Sequence, residues 1–224
     1  MPRNSQTGAA RLRAHAVRPD IGVACASAIA LQHDRWRSWP GCGRLPRRGI
    51  GDHPGTQALI TIRSAQPSDA DAIAALYNAG IAERQATFET RPRDAAEVVA
   101  WFEPGLPFLV AEDDDGCVLG FARVSAYSDR CVYSGVGEHG VYVGRDARGQ
   151  GLGRRLLDAL ADESARQGLY KLTSRVFTTN AASLAAHRAA GFAEVGVQRR
   201  HGRLDGEWKD CVVVERLLGE AAAA

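Results

Sequence analysis

Lysine is almost missing from this chain. Lys171 and Lys209 are the only two, although Lys and Arg together number 28 of the 224 residues. With the abundance of Ala and Gly, that skew reflects a GC-rich coding sequence rather than a physical demand. The basic residues are not gathered into aromatic-interleaved clusters and the net charge is only +2, which argues against nucleic acid as a partner. No apolar run approaches the length that spans a bilayer, so a soluble protein with no membrane partner is expected. Paired cysteines are absent as well. Cys25, Cys42, Cys117, Cys131 and Cys211 are odd in number and widely spaced, with no Cys-x-x-Cys set. That excludes a zinc site or a disulfide framework as the expectation and points to reduced thiols in a cytoplasmic protein. No metal is expected either: Asp113-Asp114-Asp115-Gly116 lacks the remaining ligands of a calcium loop and reads as a solvated hairpin turn.

The chain divides by composition. Residues 1–57 are rich in Arg, Gly and Pro, poor in acids, and carry neither helix nor strand period, so they read as a low-order, disordered N-terminal extension, for which an upstream start codon would account. The apolar stretch at 21–31 is preceded by a long polar segment and followed by Arg-Trp-Arg, the wrong order for a signal peptide. A single domain is expected over residues 58–219, with a short tail at 220–224. Within it, strands are expected at 59–63, 108–112, 118–125, 138–143, 170–177, 192–198 and 210–217. Helices are expected at 70–82, at 93–102, after Leu152 and after Asn180. Ser68 with Asp71 is read as the capping box of the first helix. Strands first, then strands alternating with helices, give an α/β fold with a mixed twisted β-sheet flanked by helices.

The most informative stretch is Arg148-Gly149-Gln150-Gly151-Leu152-Gly153, which follows the alternating strand Glu138-His139-Gly140-Val141-Tyr142-Val143 and opens a helix with Leu152, Leu156, Leu157 and Leu160 on one face. Glycines at 149, 151 and 153 let the backbone turn and present bare N–H groups, and the unpaired amides of a first helical turn add a positive dipole end. Such a loop suits a phosphate. It is not a P-loop, because Arg154 and Arg155 stand where Lys and Ser or Thr are required, and its glycine spacing is not the dinucleotide fingerprint.

Arg-x-x-Gly-x-Gly opening a helix resembles the pyrophosphate loop of the GNAT superfamily of acyl-CoA-dependent N-acetyltransferases. A second motif supports this: Asn180-Ala181-Ala182-Ser183, then His187, then Gly191-Phe192. Within that superfamily the chain is most similar to the phosphinothricin and arsinothricin N-acetyltransferase family over residues 59–218. The residues that carry this are Glu138 with Val141-Tyr142-Val143, Arg145-Asp146-Ala147-Arg148-Gly149, and the late segment from Arg200 to Asp210.

The resemblance implies a GNAT-like domain with acetyl-CoA as co-substrate and a set of site residues. Glu138 takes the general-base position, directly or through water. Val141, Tyr142 and Val143 would bind the pantetheine arm like an added strand, with the Tyr142 ring left to packing. Arg148, Gly149, Gln150, Gly151, Leu152, Gly153 and Arg154 would hold the pyrophosphate, and Asn180 and Ser183 a more distant part of CoA. Asn180 also suits a helix cap. His187 stands where the superfamily often has a Tyr that protonates the thiolate, but a His facing the core or a carbonyl would look the same in sequence. His139 and Gly140 belong to the acceptor-binding segment, as do Tyr127 and Arg130. His201, Arg203 and Trp208 would line the acceptor pocket, across a homodimer interface.

The activity implied is acetylation of the α-amine of a glutamate-like amino acid such as phosphinothricin or arsinothricin, with methionine sulfone and sulfoximine as relatives, conferring resistance. Two other readings stand beside it: acetylation of a protein or peptide amine, and a non-catalytic acyl-CoA-binding sensor on the same fold.

Overall fold

The computed structural model describes residues 59–223; the expected extension at 1–57 lies outside the described residues, as does Ala224. The strands are β1 (Thr61–Ser64), β2 (Phe108–Glu112), β3 (Val118–Ala126), β4 (Val136–Val143), β5 (Lys171–Phe177), β6 (Ala193–Leu204) and β7 (Glu207–Leu217). They form one sheet in the order β1-β2-β3-β4-β5-β7-β6. All neighbours are antiparallel except β4 and β5. The helices are α1 (Ala70–Glu83), α2 (Ala95–Val99), α3 (Leu152–Arg166) and α4 (Ala181–Ala189).

Alternation along β2 sets the layers. Phe108 and Val110 pack with Ile73 of α1 and Val98 of α2, whereas Leu109 and Ala111 pack with the leucines of α3. Successive strand residues point to opposite faces, so α1 and α2 cover one face and α3 and α4 the other. Leu152, Leu156, Leu157 and Leu160 are at most 1% exposed, each contributing about 1.5–3 kcal/mol of apolar burial. α3 is also the crossover that a parallel β4–β5 pair requires.

Three local expectations are corrected. Asp69, not Ser68, organises the entry to α1: its carboxylate accepts from the Gln66 amide at 2.8 Å and from both terminal nitrogens of Arg63 at 2.8 and 3.0 Å. The Arg63 guanidinium holds it below the ordinary carboxylate range. Pro67 opens a 3-10 turn ahead of the helix and shifts the box two residues upstream of its expected register. α2 is only Ala95–Val99, because extended Asp94 caps it with Glu97 while Arg93 exchanges two hydrogen bonds with Asn78 at 2.8 Å. β6 continues to Leu204 and β7 begins at Glu207, joined by Asp205 and Gly206 with φ of 50° and 85°. Both turn residues have positive φ, the two-residue hairpin that Asp-Gly favours.

Cys131 and Cys211 are free thiols.

One feature of the sheet positions the site. β4 pairs with β3 from Gly137 to Val143 but meets β5 only at Val136, Gly137 and Glu138. Beyond Glu138 β4 and β5 are no longer paired, and, among the described residues, 139–143 have no strand partner on that edge.

Candidate active site

A cavity of about 590 Å³ lies on the α1/α2 face of β3 and β4, lined among others by Phe121, Arg123, Ser125, Glu138, Gly140 and Tyr142. These are alternate residues of two adjacent strands, in the register Phe121↔Tyr142, Arg123↔Gly140 and Ser125↔Glu138. Tyr77, Trp101, Thr87, Glu89 and Arg93 also contribute to its walls. Glu138 stands where β4 leaves β5, and its carboxylate accepts a hydrogen bond from Arg175 Nη1 at 2.5 Å. Arg175 is steadied in turn by Gln198, to which its Nε donates at 3.2 Å.

The unpaired edge of β4 leads directly to the glycine loop. Gly149 and Gly151 have φ of 76° and 75°, and a Cβ at either would meet nothing within 4 Å. Among the described residues no backbone carbonyl accepts from the amides of residues 149–154; the first helical bond of α3 is from Arg155 to Gly151 at 3.1 Å. Six free amides at the start of a 15-residue helix make an anion cradle. Arg148 anchors it, donating to the Val143 carbonyl at 3.0 Å and pairing with Glu83 at 2.9 Å. Leu152 is buried in the core, so only its amide is available, while Arg154 is exposed beside Asp158 at 3.3 Å.

A diphosphate on this cradle and an extended amide-bearing arm along the β4 edge fit the residues present. Because the space beside Gly151 is open, Gly151→Ala acts through backbone conformation alone, about 1–2 kcal/mol. It is expected to raise the KM for acetyl-CoA by roughly 5–30-fold with kcat little changed, as read from steady-state kinetics.

The family model for the acetyltransferase (GNAT) family matches residues 73–192, more than half of the chain. The chain belongs to the GNAT family. It is similar to the L-methionine sulfoximine/L-methionine sulfone acetyltransferase of Pseudomonas paraeruginosa, 36% identical over 168 residues that cover 73% of this chain and 98% of that one. It is also similar to the phosphinothricin N-acetyltransferase of Alcaligenes faecalis, 37% identical over 72% of this chain and 84% of that one. Among solved structures, the GNAT superfamily phosphinothricin acetyltransferase of Sinorhizobium meliloti in complex with acetyl-CoA superposes with a TM-score of 0.69 at 32% identity. That match covers 74% of this chain and 91% of that one. This GNAT protein is an N-acetyltransferase with acetyl-CoA as co-substrate.

Several sequence-derived residues of the acetyltransferase are not at the cavity. Tyr127 and Arg130 are exposed, with Tyr127 against the Tyr133 ring and the Arg130 guanidinium 5.6 Å from the centre of the same ring. They do not line the cavity. His201, Arg203 and Trp208 lie on the outer hairpin, where Arg203 stacks on Trp208 at 4.3 Å, and they do not line it either. Asn180 acts as the cap of α4, accepting from Ser183 N at 3.0 Å and donating to the Gln85 carbonyl at 2.9 Å.

His187 is 2% exposed, and its ring meets that of His139. Its Nδ1 meets the Ser183 carbonyl at 2.7 Å, so that nitrogen carries the proton. Its Nε2 then accepts from His139 Nε2 at 3.0 Å, and among the described residues the buried His139 Nδ1 has no hydrogen-bond partner within normal geometry. The neighbouring Thr173 backbone offsets only part of the burial effect on His139. Burial pushes both rings below the ordinary imidazole range, His139 to about 3, with His187 adding to the shift at His139. The Tyr142 ring stacks on Phe121 at 5.0 Å, and burial pushes its phenol up. It packs, as its place on a central strand implies.

Proposed function

We propose that the chain acetylates the α-amine of a small amino acid whose side chain ends in a tetrahedral polar group. The class includes phosphinothricin, arsinothricin, methionine sulfone and methionine sulfoximine, and the modification serves resistance in the cytoplasm. The observation that carries this reading is the cavity of about 590 Å³ with the Glu138 carboxylate on its wall, beside the unpaired edge of β4. That volume suits one small molecule. An extended peptide would need an open groove, whereas Thr87, Glu89, Arg93 and Trp101 help wall the cavity here. The names of the relatives from Pseudomonas paraeruginosa and Alcaligenes faecalis support methionine sulfoximine, methionine sulfone and phosphinothricin among these.

Acetyl-CoA supplies the acetyl group as a thioester. Glu138 removes the proton from the acceptor ammonium, directly or through one water, because only the free amine has the lone pair needed for attack. Arg175 fixes the carboxylate's orientation. The amides of Val141 and Val143, which point away from β3, bind the pantetheine arm as an added strand does, and one of them polarises the carbonyl. The cradle of residues 148–154 holds the diphosphate. Protonation of the departing thiolate is not assigned to His187, since both of its ring nitrogens are already engaged. A homodimer is part of the proposal, supported by the long exposed edge strand β6 with Val195 and Val197 outward.

Thiol release from acetyl-CoA, measured over a panel of phosphinothricin, arsinothricin, methionine sulfone, ordinary amino acids and short peptides, tests the reading. Saturable turnover confined to the first three is the expected result. Turnover on peptides alone, or acetyl-CoA binding without any turnover, sinks it in favour of protein acetylation or a sensor.

A further inference from the structure

Three arginines stand at or beside the cavity, and they differ in what they already bind. Arg93 pairs with Glu89 at 2.6 Å and with Glu97 at 3.2 Å. Arg175 is committed to Glu138 and Gln198. Arg123 has no such commitment. Among the described residues its guanidinium donates no hydrogen bond, and its one carboxylate neighbour is Glu103, at 3.5 Å from Nη2. The side chain is only 19% exposed. Its Cζ lies 4.9 Å from the centre of the Trp101 ring and 6.0 Å from that of Phe108.

A guanidinium has five donors, and burying it without hydrogen bonds is costly unless a ligand supplies acceptors. The aromatic faces offset part of that cost but accept no conventional hydrogen bond. Burial lowers the pKa of Arg123 from an ordinary value so high that the group stays charged. The cavity wall thus holds a fixed positive charge whose planar donor fork is unfilled, a match for a carboxylate.

Its position relative to the base decides which carboxylate. Arg123 is paired with Gly140 and Ser125 with Glu138, so Arg123 and Glu138 are diagonal neighbours on one sheet face, about 7–8 Å apart at Cα. Gly140 opposite Arg123 brings no side chain into the space between them. An α-amino acid carries its amine and carboxylate on one carbon and can present the first to Glu138 and the second to Arg123. Methionine sulfone has no other anionic group.

We propose that Arg123 binds the α-carboxylate of the acceptor and thereby restricts the enzyme to free α-amino acids, rejecting amines whose carboxyl is blocked as an amide, as at a protein N-terminus. The proposal rests on the amino-acid acetyltransferase reading above.

The test compares wild type, Arg123→Gln and Arg123→Lys on methionine sulfone and on its carboxamide, with acetyl-CoA binding followed separately by thermal shift to confirm that each variant is folded. Wild type is expected to prefer the free acid by roughly 100-fold in kcat/KM, in the range of a charge-assisted bidentate contact. Arg123→Gln is expected to lose most of that preference through a higher KM for the acid, with the carboxamide unchanged, and Arg123→Lys to restore part of it. Taking each variant relative to wild type cancels the different amine basicities of the two acceptors. An equal loss on both acceptors, or a preference that survives Arg123→Gln, overturns the assignment and leaves the amino-acid reading intact. Absence of wild-type turnover on every free amino acid removes that reading and this proposal with it. Should Arg123→Gln fail to bind acetyl-CoA, Arg123→Lys decides alone: a raised KM for the acid with the carboxamide unchanged retains the proposal, and an undiminished preference or an equal loss on both acceptors rejects it.

Discussion

Replacing Glu138 by Gln is expected to lower acetyl transfer at neutral pH by about 10²–10⁴-fold, the usual contribution of a positioned general base, while leaving acetyl-CoA affinity unchanged. The substitution isolates proton transfer because it preserves shape and contact. A Gln oxygen can still accept from Arg175 Nη1, which reaches the Glu138 carboxylate at 2.5 Å, and Arg175 keeps its own tie to Gln198 at 3.2 Å. The amides of residues 149–154, proposed to hold the cofactor, lie in the glycine loop and the first turn of α3, away from residue 138 on β4. What is lost is the acceptor for the ammonium proton. A consequence separates this from a positioning effect: as pH rises and more of the acceptor is already free amine, the deficit of Glu138→Gln should shrink. Steady-state kinetics from pH 7 to pH 10 read it directly. Turnover equal to wild type across that range rejects the base assignment, and a deficit that stays constant with pH points to positioning rather than proton removal.

The same residue shows what the sequence makes legible. A strand ending in Val-Tyr-Val, a glycine loop and a leucine-striped helix are contiguous, so their order and their spatial relation are both local properties. The structure keeps that order in β4, the loop and α3. Glu138 is legible as a strand residue near the loop; that β5 leaves β4 at that very residue is a tertiary fact, because it depends on pairing with a segment beyond an entire helix. The β6–β7 hairpin is also a local signal, although the strand bounds expected from periodicity stop short of it. Asp205-Gly206 between two alternating runs is a strong two-residue turn signal, and the ends of both strands follow from it.

Acceptor-side residues were the least accessible. Arg130 lies in a segment that resembles a substrate loop, but in this chain it is exposed beside Tyr133. Arg123, by contrast, is embedded in the apolar strand Val118–Ala126 between Ala122 and Val124, both buried. An arginine in such a run is rarely buried without a partner, and that was the available signal. Its aromatic surroundings, Trp101 and Phe108, come from other elements and were not. His139 and His187 are 48 residues apart on a strand and a helix, and nothing in either segment announces that their rings meet.

That pair carries the second large expected effect, a loss of stability on mild acidification. In the folded protein both rings are neutral, His139 with a pKa pushed down to about 3 and His187 lowered in the same direction, chiefly by burial. In the unfolded chain each titrates near 6.5. Between about 3 and 6.5 the unfolded state therefore binds more protons than the folded one, so stability falls as pH falls through that window and is fully retained above it. At pH 5 the cost from His139 alone is about 2 kcal/mol, or roughly 4–8 °C in Tm for a domain of this size. The carboxylates held low by arginine partners, such as Asp69 beside Arg63, act at lower pH, because their unfolded value is near 4. The interval from pH 6.5 to 5 thus isolates the histidines. His139→Gln, whose amide can still donate toward His187 Nε2, should be less stable than wild type at pH 8 but lose less on going to pH 5. Parallel Tm profiles for the two proteins across that interval would mean that His139 takes up a proton in the folded state, and that water or a rearranged partner already reaches its Nδ1.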